Sequence, residues 1–153
     1  MKTKRENEIA SGIFKAGKLL FQPGLNCYPE GGYDVDGRRA DCRFEVADSV
    51  LFLEIFGGTD LSYMRDRLLI RDSRIFNKQL GKKGVNVLHL ICNDIAFNAF
   101  ENQPKSVVER RLIAFATELE QEPNQHVIVL PKNPTKVQYR SVSATITGLL
   151  NIN

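Results

Sequence analysis

The sequence predicts an α/β fold in which a leading helix is followed by a mixed sheet. Three observations carry this. Residues 40–44 alternate, with Ala40, Cys42 and Phe44 set between Arg39, Asp41 and Arg43, and a short polar link leads to Val50-Leu51-Phe52-Leu53-Glu54-Ile55-Phe56, which is almost wholly apolar. The first pattern is that of a half-exposed strand and the second that of a central strand covered on both faces; together they read as a hairpin. Two further β-rich runs, Val85 to Ile91 and His126 to Leu130, are separated by helical spacing, the alternation expected of α/β chains. At 153 residues the chain suffices for one domain with a real core but not for two, so residues 1–153 are expected to form a single domain.

The elements follow in order. Over 4–17, Ile9, Ala10, Ile13, Phe14 and Gly17 share one face of a helix. Glu6 projects from that same inward face and Glu8 points away. Leu19-Leu20-Phe21-Gln22 reads as a first strand. The stretch from Pro23 to Gly37 is rich in Gly, Pro and Asn, with a turn at Asp36-Gly37 and a short strand expected around Tyr33 to Val35. After the two carboxylate-bearing strands, residues 61–80 have helical periodicity, with Leu68, Leu69, Ile75, Phe76 and Leu80 on one face. Arg67, Arg71, Arg74 and Lys78 make an uninterrupted basic stripe on the other. Val85 to Ile91 is a central strand, and Asp94 caps a short helix ending near Phe100. Ser106-Val107-Val108-Glu109 is a capping box that opens a helix with Val108, Leu112, Phe115 and Leu119 as its apolar stripe. His126 to Leu130 is a last strand, and a basic, proline-containing loop over 131–136 precedes the tail.

Composition narrows the function classes. Apolar and charged fractions of 42% and 25% are those of an ordinary globular protein. No apolar run approaches the ~18 residues of a membrane span, and no cleavage signal follows the charged N-terminus, so neither membrane insertion nor secretion is expected. Cys27, Cys42 and Cys92 show no C-x-x-C spacing and read as free thiols in a reducing compartment. A zinc site joining them with His89 or His126 lacks a local ligand pair to nucleate it. The net charge of +3 does not by itself imply nucleic acid; its distribution says more.

Chemistry concentrates at Asp41 and Glu54, one carboxylate on each of two neighbouring strands. Burying an acid at the end of an apolar strand is costly unless something pairs with it. A divalent cation shared by both acids meets that need, and hard cations such as Mg²⁺ take oxygen ligands. Other machinery is absent from the sequence: there is no G-x-S-x-G, no phosphate-binding loop, and no evident partner for either histidine. A two-carboxylate glycosidase is disfavoured by the lack of Trp and an aromatic fraction of 8%.

Asp41, the short link and the apolar strand ending in Glu54 resemble the core of the PD-(D/E)XK nuclease superfamily. Tyr63, Asp66, Arg71-Asp72, the run Gly84 to Leu90, Asn93-Asp94-Ile95, Asn98 and the Val107 to Leu112 helix are similar to its Vsr-like branch. That branch includes very-short-patch mismatch-repair endonucleases, small homing endonucleases and a family of uncharacterised bacterial proteins. The similarity spans roughly residues 5 to 119 and rests on order and spacing, each motif alone being weak. It implies a restriction-endonuclease-like domain with an α-β-β-β-α-β core, and a metal-dependent, site-specific DNA endonuclease, a homing endonuclease being the form that suits the length. It implies Mg²⁺ as cofactor, with Mn²⁺ as substitute, held by Asp41 and Glu54. Some members add a Glu from the first helix, which gives Glu6, Asp41 and Glu54 as catalytic residues. Glu6 has two plainer readings, a frayed terminus or a favourable place on the helix dipole.

Double-stranded DNA is the implied partner, with Arg38, Arg39, Arg67, Arg71, Arg74 and Lys78 as its phosphate contacts; a solvated helix face is the plainer meaning of the last four. A homodimer or higher homo-oligomer is expected from the small size, and a cytoplasmic, nucleoid-associated or phage- or mobile-element-encoded protein from the function. The 120–153 tail lies beyond the resemblance and is expected to be a DNA-contacting or oligomerisation appendage. Two departures stand out. The usual Lys two places after the Glu is Phe56, and Gly57-Gly58-Thr59-Asp60 carries no His. A non-catalytic, nuclease-derived DNA-binding module is therefore the alternative, and a general interaction domain with surface carboxylates is a third reading.

Overall fold

The computed structural model describes residues 4–30, 41–56, 84–92, 105–121, 124–131 and 133–152. The first helix, α1 (Lys4–Gly17), buries Ile9, Ala10, Ile13 and Phe14, with Glu6 one turn earlier on the same side. Glu8 is exposed and pairs with Arg5 at 3.6 Å. Leu19–Phe21 is not a strand but one turn of 3-10 helix. Lys18 turns the chain with φ 50 and ψ 41, and the Phe21 N–H then donates to the Lys18 carbonyl at 3.0 Å. Only Leu19 enters the core; Leu20 and Phe21 stay exposed. A short apolar run does not distinguish a strand from a tight turn, and here the turn redirects the chain from helix to sheet.

Five strands form one sheet in the order β1 (Asn26–Tyr28), β2 (Cys42–Glu45), β3 (Val50–Phe56), β4 (Val85–Cys92) and β5 (Gln125–Leu130). The first three are antiparallel, whereas β4 runs parallel to β3 and β5 parallel to β4. The mixed sheet expected from the order of elements is thus present. Its first strand falls within the Gly- and Pro-rich stretch at 26–28; the strand expected at 33–35 lies outside the described residues, as do the helices expected over 61–80 and 94–100. A tight connection joins β2 to β3, closed by the Val46 N–H on the Ser49 carbonyl at 3.0 Å. Gly84 leads into β4 at φ 75, and a Cβ there would lie 2.8 Å from the Asp48 carbonyl oxygen. Only glycine meets both demands.

One face of the sheet carries the main core. Cys42, Phe44, Leu51, Leu53, Ile55, Leu88 and Leu90 pack against α1 and against α3 (Lys136–Leu149). Phe14 of α1 stacks on Phe44 of β2 at 5.4 Å. By strand alternation the other face bears Phe52, Val85 and Val87, which form a separate apolar cluster. The helix α2 (Lys105–Glu120) covers the span expected of it and leads to β5.

The tail expected as an appendage is part of this core. It supplies β5 to the sheet, and Val142, Ile146 and Leu150 to the main cluster. Thr135 caps α3 in a reciprocal box with Gln138. The helix lies so close to α1 that Ser143 Oγ donates to the Ile13 carbonyl at 2.7 Å, and a Cβ on Gly12 would sit 2.6 Å from the Tyr139 ring. Among the described residues, no helix is long and apolar enough to cross a membrane.

Candidate functional site

Antiparallel pairing sets Cys42 opposite Leu53, and the same register carried one residue further places Asp41 opposite Glu54. The two acids named from sequence are brought together by the hairpin that predicted them. Asp41 is half-buried, and its Oδ2 accepts a hydrogen bond of 2.7 Å from the Ile55 N–H. This bond extends the β2–β3 ladder by one rung and fixes the Asp41 carboxylate beside the next residue of β3. Glu54 is 4% exposed, so it is not a surface residue at a strand end.

The polar row continues across the sheet. Parallel pairing makes His89 of β4 the partner of Glu54. His89 is 1% exposed, and its Nε2 lies 2.7 Å from Oε1 of Gln125, the buried first residue of β5. With the amide oxygen as acceptor, Nε2 carries the hydrogen. Glu54 of β3, His89 of β4 and Gln125 of β5, the last in register with Val87, therefore lie on the side of the sheet away from α1 and α3, with Asp41 just ahead of β2. Sequence reasoning missed His89 and Gln125. The visible signal was a lone histidine in the run Val85 to Leu90, in phase with Val85 and Val87; its register position beside Glu54 depends on β4 lying next to β3.

Glu6 is buried as its helix position required. It belongs to the α1 face that packs over Leu53 and Ile55, whereas Glu54 alternates to the side of Phe52. Among the described residues, no three His, Cys, Asp or Glu side chains gather into a metal-binding group, so Glu6 does not complete a three-carboxylate set with the pair. The pair itself suits a small hard cation: Mg²⁺ keeps several waters and is commonly held by one or two carboxylates. Asp41 Oδ2 serves the backbone, and Oδ1 and the Glu54 carboxylate are the oxygens suited to such an ion.

Arg43 is the second residue of β2. Its Nε lies 3.1 Å from Glu45 Oε1 and its guanidinium sits 4.2 Å from the centre of the Tyr28 ring, so its charge is engaged within β1 and β2. Arg38, Arg39, Arg67, Arg71, Arg74 and Lys78, expected to contact DNA, all lie outside the described residues. So do Gly57 and Gly58.

A second polar feature lies toward β5, a recess of about 470 Å³ lined in part by Glu120, Asn124, Gln125, His126 and Thr145. His126 Nε2 is 3.1 Å from Asn86 Oδ1. Burial holds the His126 pKa below its ordinary value, with Glu120 drawing it up and His89 pushing it further down. Compared with protein-family models, curated proteins and solved structures, the chain matches none.

Proposed function

We propose that this protein is a metal-dependent, site-specific endonuclease of double-stranded DNA, with a restriction-endonuclease-like fold. The observation that carries the reading is the placement of Asp41 opposite Glu54, with Asp41 anchored on the Ile55 N–H. The element order supports it: a leading helix, three antiparallel strands, then a strand parallel to the third. Asp41 and Glu54 bind and orient the cofactor. A bound Mg²⁺ or Mn²⁺ supplies Lewis-acid activation of water and offsets charge at the phosphate. The Ile55 N–H holds one Asp41 oxygen still, which leaves the acid's other oxygen in a fixed direction. Arg38 and Arg39, close to Asp41 in sequence, and the stripe Arg67, Arg71, Arg74 and Lys78 would hold the DNA backbone. A homodimer or higher homo-oligomer would span a long site, as a homing endonuclease requires.

One observation favours a second reading. Phe56 stands where the resembled nucleases place a Lys, which suits a DNA-binding module that no longer cleaves. Nicking of supercoiled DNA carrying a randomised insert, in Mg²⁺ and in Mn²⁺, separates the two. Cleavage that disappears in Asp41→Ala supports the nuclease. DNA binding without cleavage in either metal moves the assignment to the module.

A further inference from the structure

We propose that β5 is a dimerisation edge, pairing antiparallel with β5 of a second copy about a two-fold axis at Val127. Such a joint would build the homodimer proposed above, yet it stands on the edge strand alone, whatever the chemistry at Asp41 and Glu54. Among the described residues, β5 is paired on one side only, by β4. The Val87 N–H donates to the Asn124 carbonyl at 3.0 Å, so alternate residues from 124 onward aim their backbone groups at β4. The residues between them aim theirs the other way. Gln125, Val127 and Val129 thus present N–H and C=O groups along the outer edge, a row that another extended chain meets in register.

The strand itself does nothing to blunt this edge. Natural edge strands are kept from pairing by being short or by carrying Lys, Pro or inward charges. The six residues of β5, QHVIVL, include no Lys, Arg, Asp, Glu or Pro, whereas the opposite edge strand, β1, has only three residues. Val129 is 39% exposed, and Ile113 and Val137, on the helices that precede and follow β5, are exposed as well. The recess of about 470 Å³ follows the same edge, with residues 124–128 lining it between Glu120 at the end of α2 and Thr145 of α3.

A second copy is the occupant that this strand suits. Its three outward residues are symmetric about Val127. With the axis there, Val127 faces its own copy and Gln125 faces the partner's Val129, each pair exchanging two N–H···O=C bonds. His126 falls opposite the partner's Ile128. Like charges directly opposite one another disfavour pairing, and a strand with no Lys, Arg, Asp or Glu opposes none to itself. An isologous contact of this kind closes at two copies and leaves no strand to propagate a fibre.

The test is light scattering on the eluting full chain, on Val127→Pro and on Val129→Lys, with folding checked by circular dichroism. Val127→Pro removes the central outward N–H, at a place where an edge strand tolerates proline because that N–H faces away from the sheet. Val129→Lys sets a charge inside the joint. The parent should elute at twice the chain mass and both variants at the chain mass. Cysteine substitution checks the register. Under mild oxidation Val127→Cys should form a covalent dimer, because hydrogen-bonded antiparallel partners have Cα atoms about 5.5 Å apart, within reach of a disulfide. Val129→Cys should not, since its copy lies four residues, or about 13 Å, further along the strand. The unsubstituted chain, with Cys27, Cys42 and Cys92, is the control. A monomeric parent whose Val127 and Val129 amides resist hydrogen exchange would give the edge to another stretch of the same chain; a monomer in which they exchange freely would leave it open; a dimer that survives both variants would put the contact elsewhere, as at the exposed Leu20 and Phe21. Each of these overturns the assignment. Should Val127→Pro fail to fold, Val129→Lys and the two cysteine variants decide. None of these readouts uses metal or DNA, so their failure leaves the reading of Asp41 and Glu54 untouched.

Discussion

Asp41 does two things at once, and two substitutions separate them. Its Oδ2 accepts the Ile55 N–H at 2.7 Å, and its charge faces that of Glu54 across the β2–β3 pair. Asp41→Ala removes both acceptor and charge. A hydrogen bond to a charged group contributes about 1.5–3 kcal/mol. The half-buried setting argues for the lower end. Against this, the variant relieves a like-charge repulsion of about 1 kcal/mol for charges a few ångströms apart in a water-like medium. The net cost is therefore about 0.5 kcal/mol. Asp41→Asn loses the same charge but keeps a carbonyl acceptor for Ile55, so it should be as stable as the parent or slightly more so. Because both variants share the charge loss, the gap between them isolates the hydrogen bond, at about 1 kcal/mol. For a chain of this size that is a Tm difference of about 2–4 °C. Urea denaturation followed by far-ultraviolet circular dichroism, in EDTA and at constant ionic strength, measures it. An asparagine variant as unstable as the alanine variant would refute the assignment of Asp41 as the last rung of the ladder.

The α1–α3 contact gives a second test. A Cβ on Gly17 would overlap the Ser143 side chain, so Gly17→Ala should destabilise by about 1–3 kcal/mol, and Ser143→Gly in the same chain should recover at least ~0.5 kcal/mol as a coupling energy; strict additivity in denaturant melts would contradict the close approach. His126 gives a third. Its folded pKa lies below the ordinary 6.5, chiefly because it is buried, so the unfolded chain takes up the proton first as the pH falls. Its contribution to stability is present above about pH 6.5 and is lost as the pH falls through the lower folded value. His126→Asn should flatten the stability–pH curve on the acid side of 6.5, and superimposable curves would rule the effect out.

Much of the sheet was legible because periodicity and strand chemistry agree there. β3 is apolar on both faces apart from Glu54, β2 alternates, and α1 buries the residues that its spacing placed inward, Glu6 included. The same logic gave the Asp41–Glu54 pair, since a hairpin's register is set locally. Two local features misled. Leu19 to Gln22 is too short for its period to show, and the left-handed Lys18 that turns it into a 3-10 helix is not a residue type that announces such a conformation. The helix α3 contains Val137, Val142, Thr145, Ile146 and Thr147, a β-leaning composition that hides it. Yet Thr135 and Gln138 were a capping box in plain view, and burial of Val142, Ile146 and Leu150 against α1 overrides the weak propensity. His89 and Gln125 were out of reach for another reason. They lie 36 residues apart and meet each other only through the order of parallel strands, which no local pattern encodes.

The central claim is that Asp41 and Glu54 jointly hold a divalent cation. An anomalous-difference map from crystals of the protein grown with Mn²⁺ tests it most directly. A single strong peak is expected between the two carboxylates, about 2.1 Å from an oxygen of each, and no peak there in crystals of Asp41→Asn. A map with no manganese between Asp41 and Glu54, from crystals of a preparation that cleaves DNA in Mn²⁺, would contradict it.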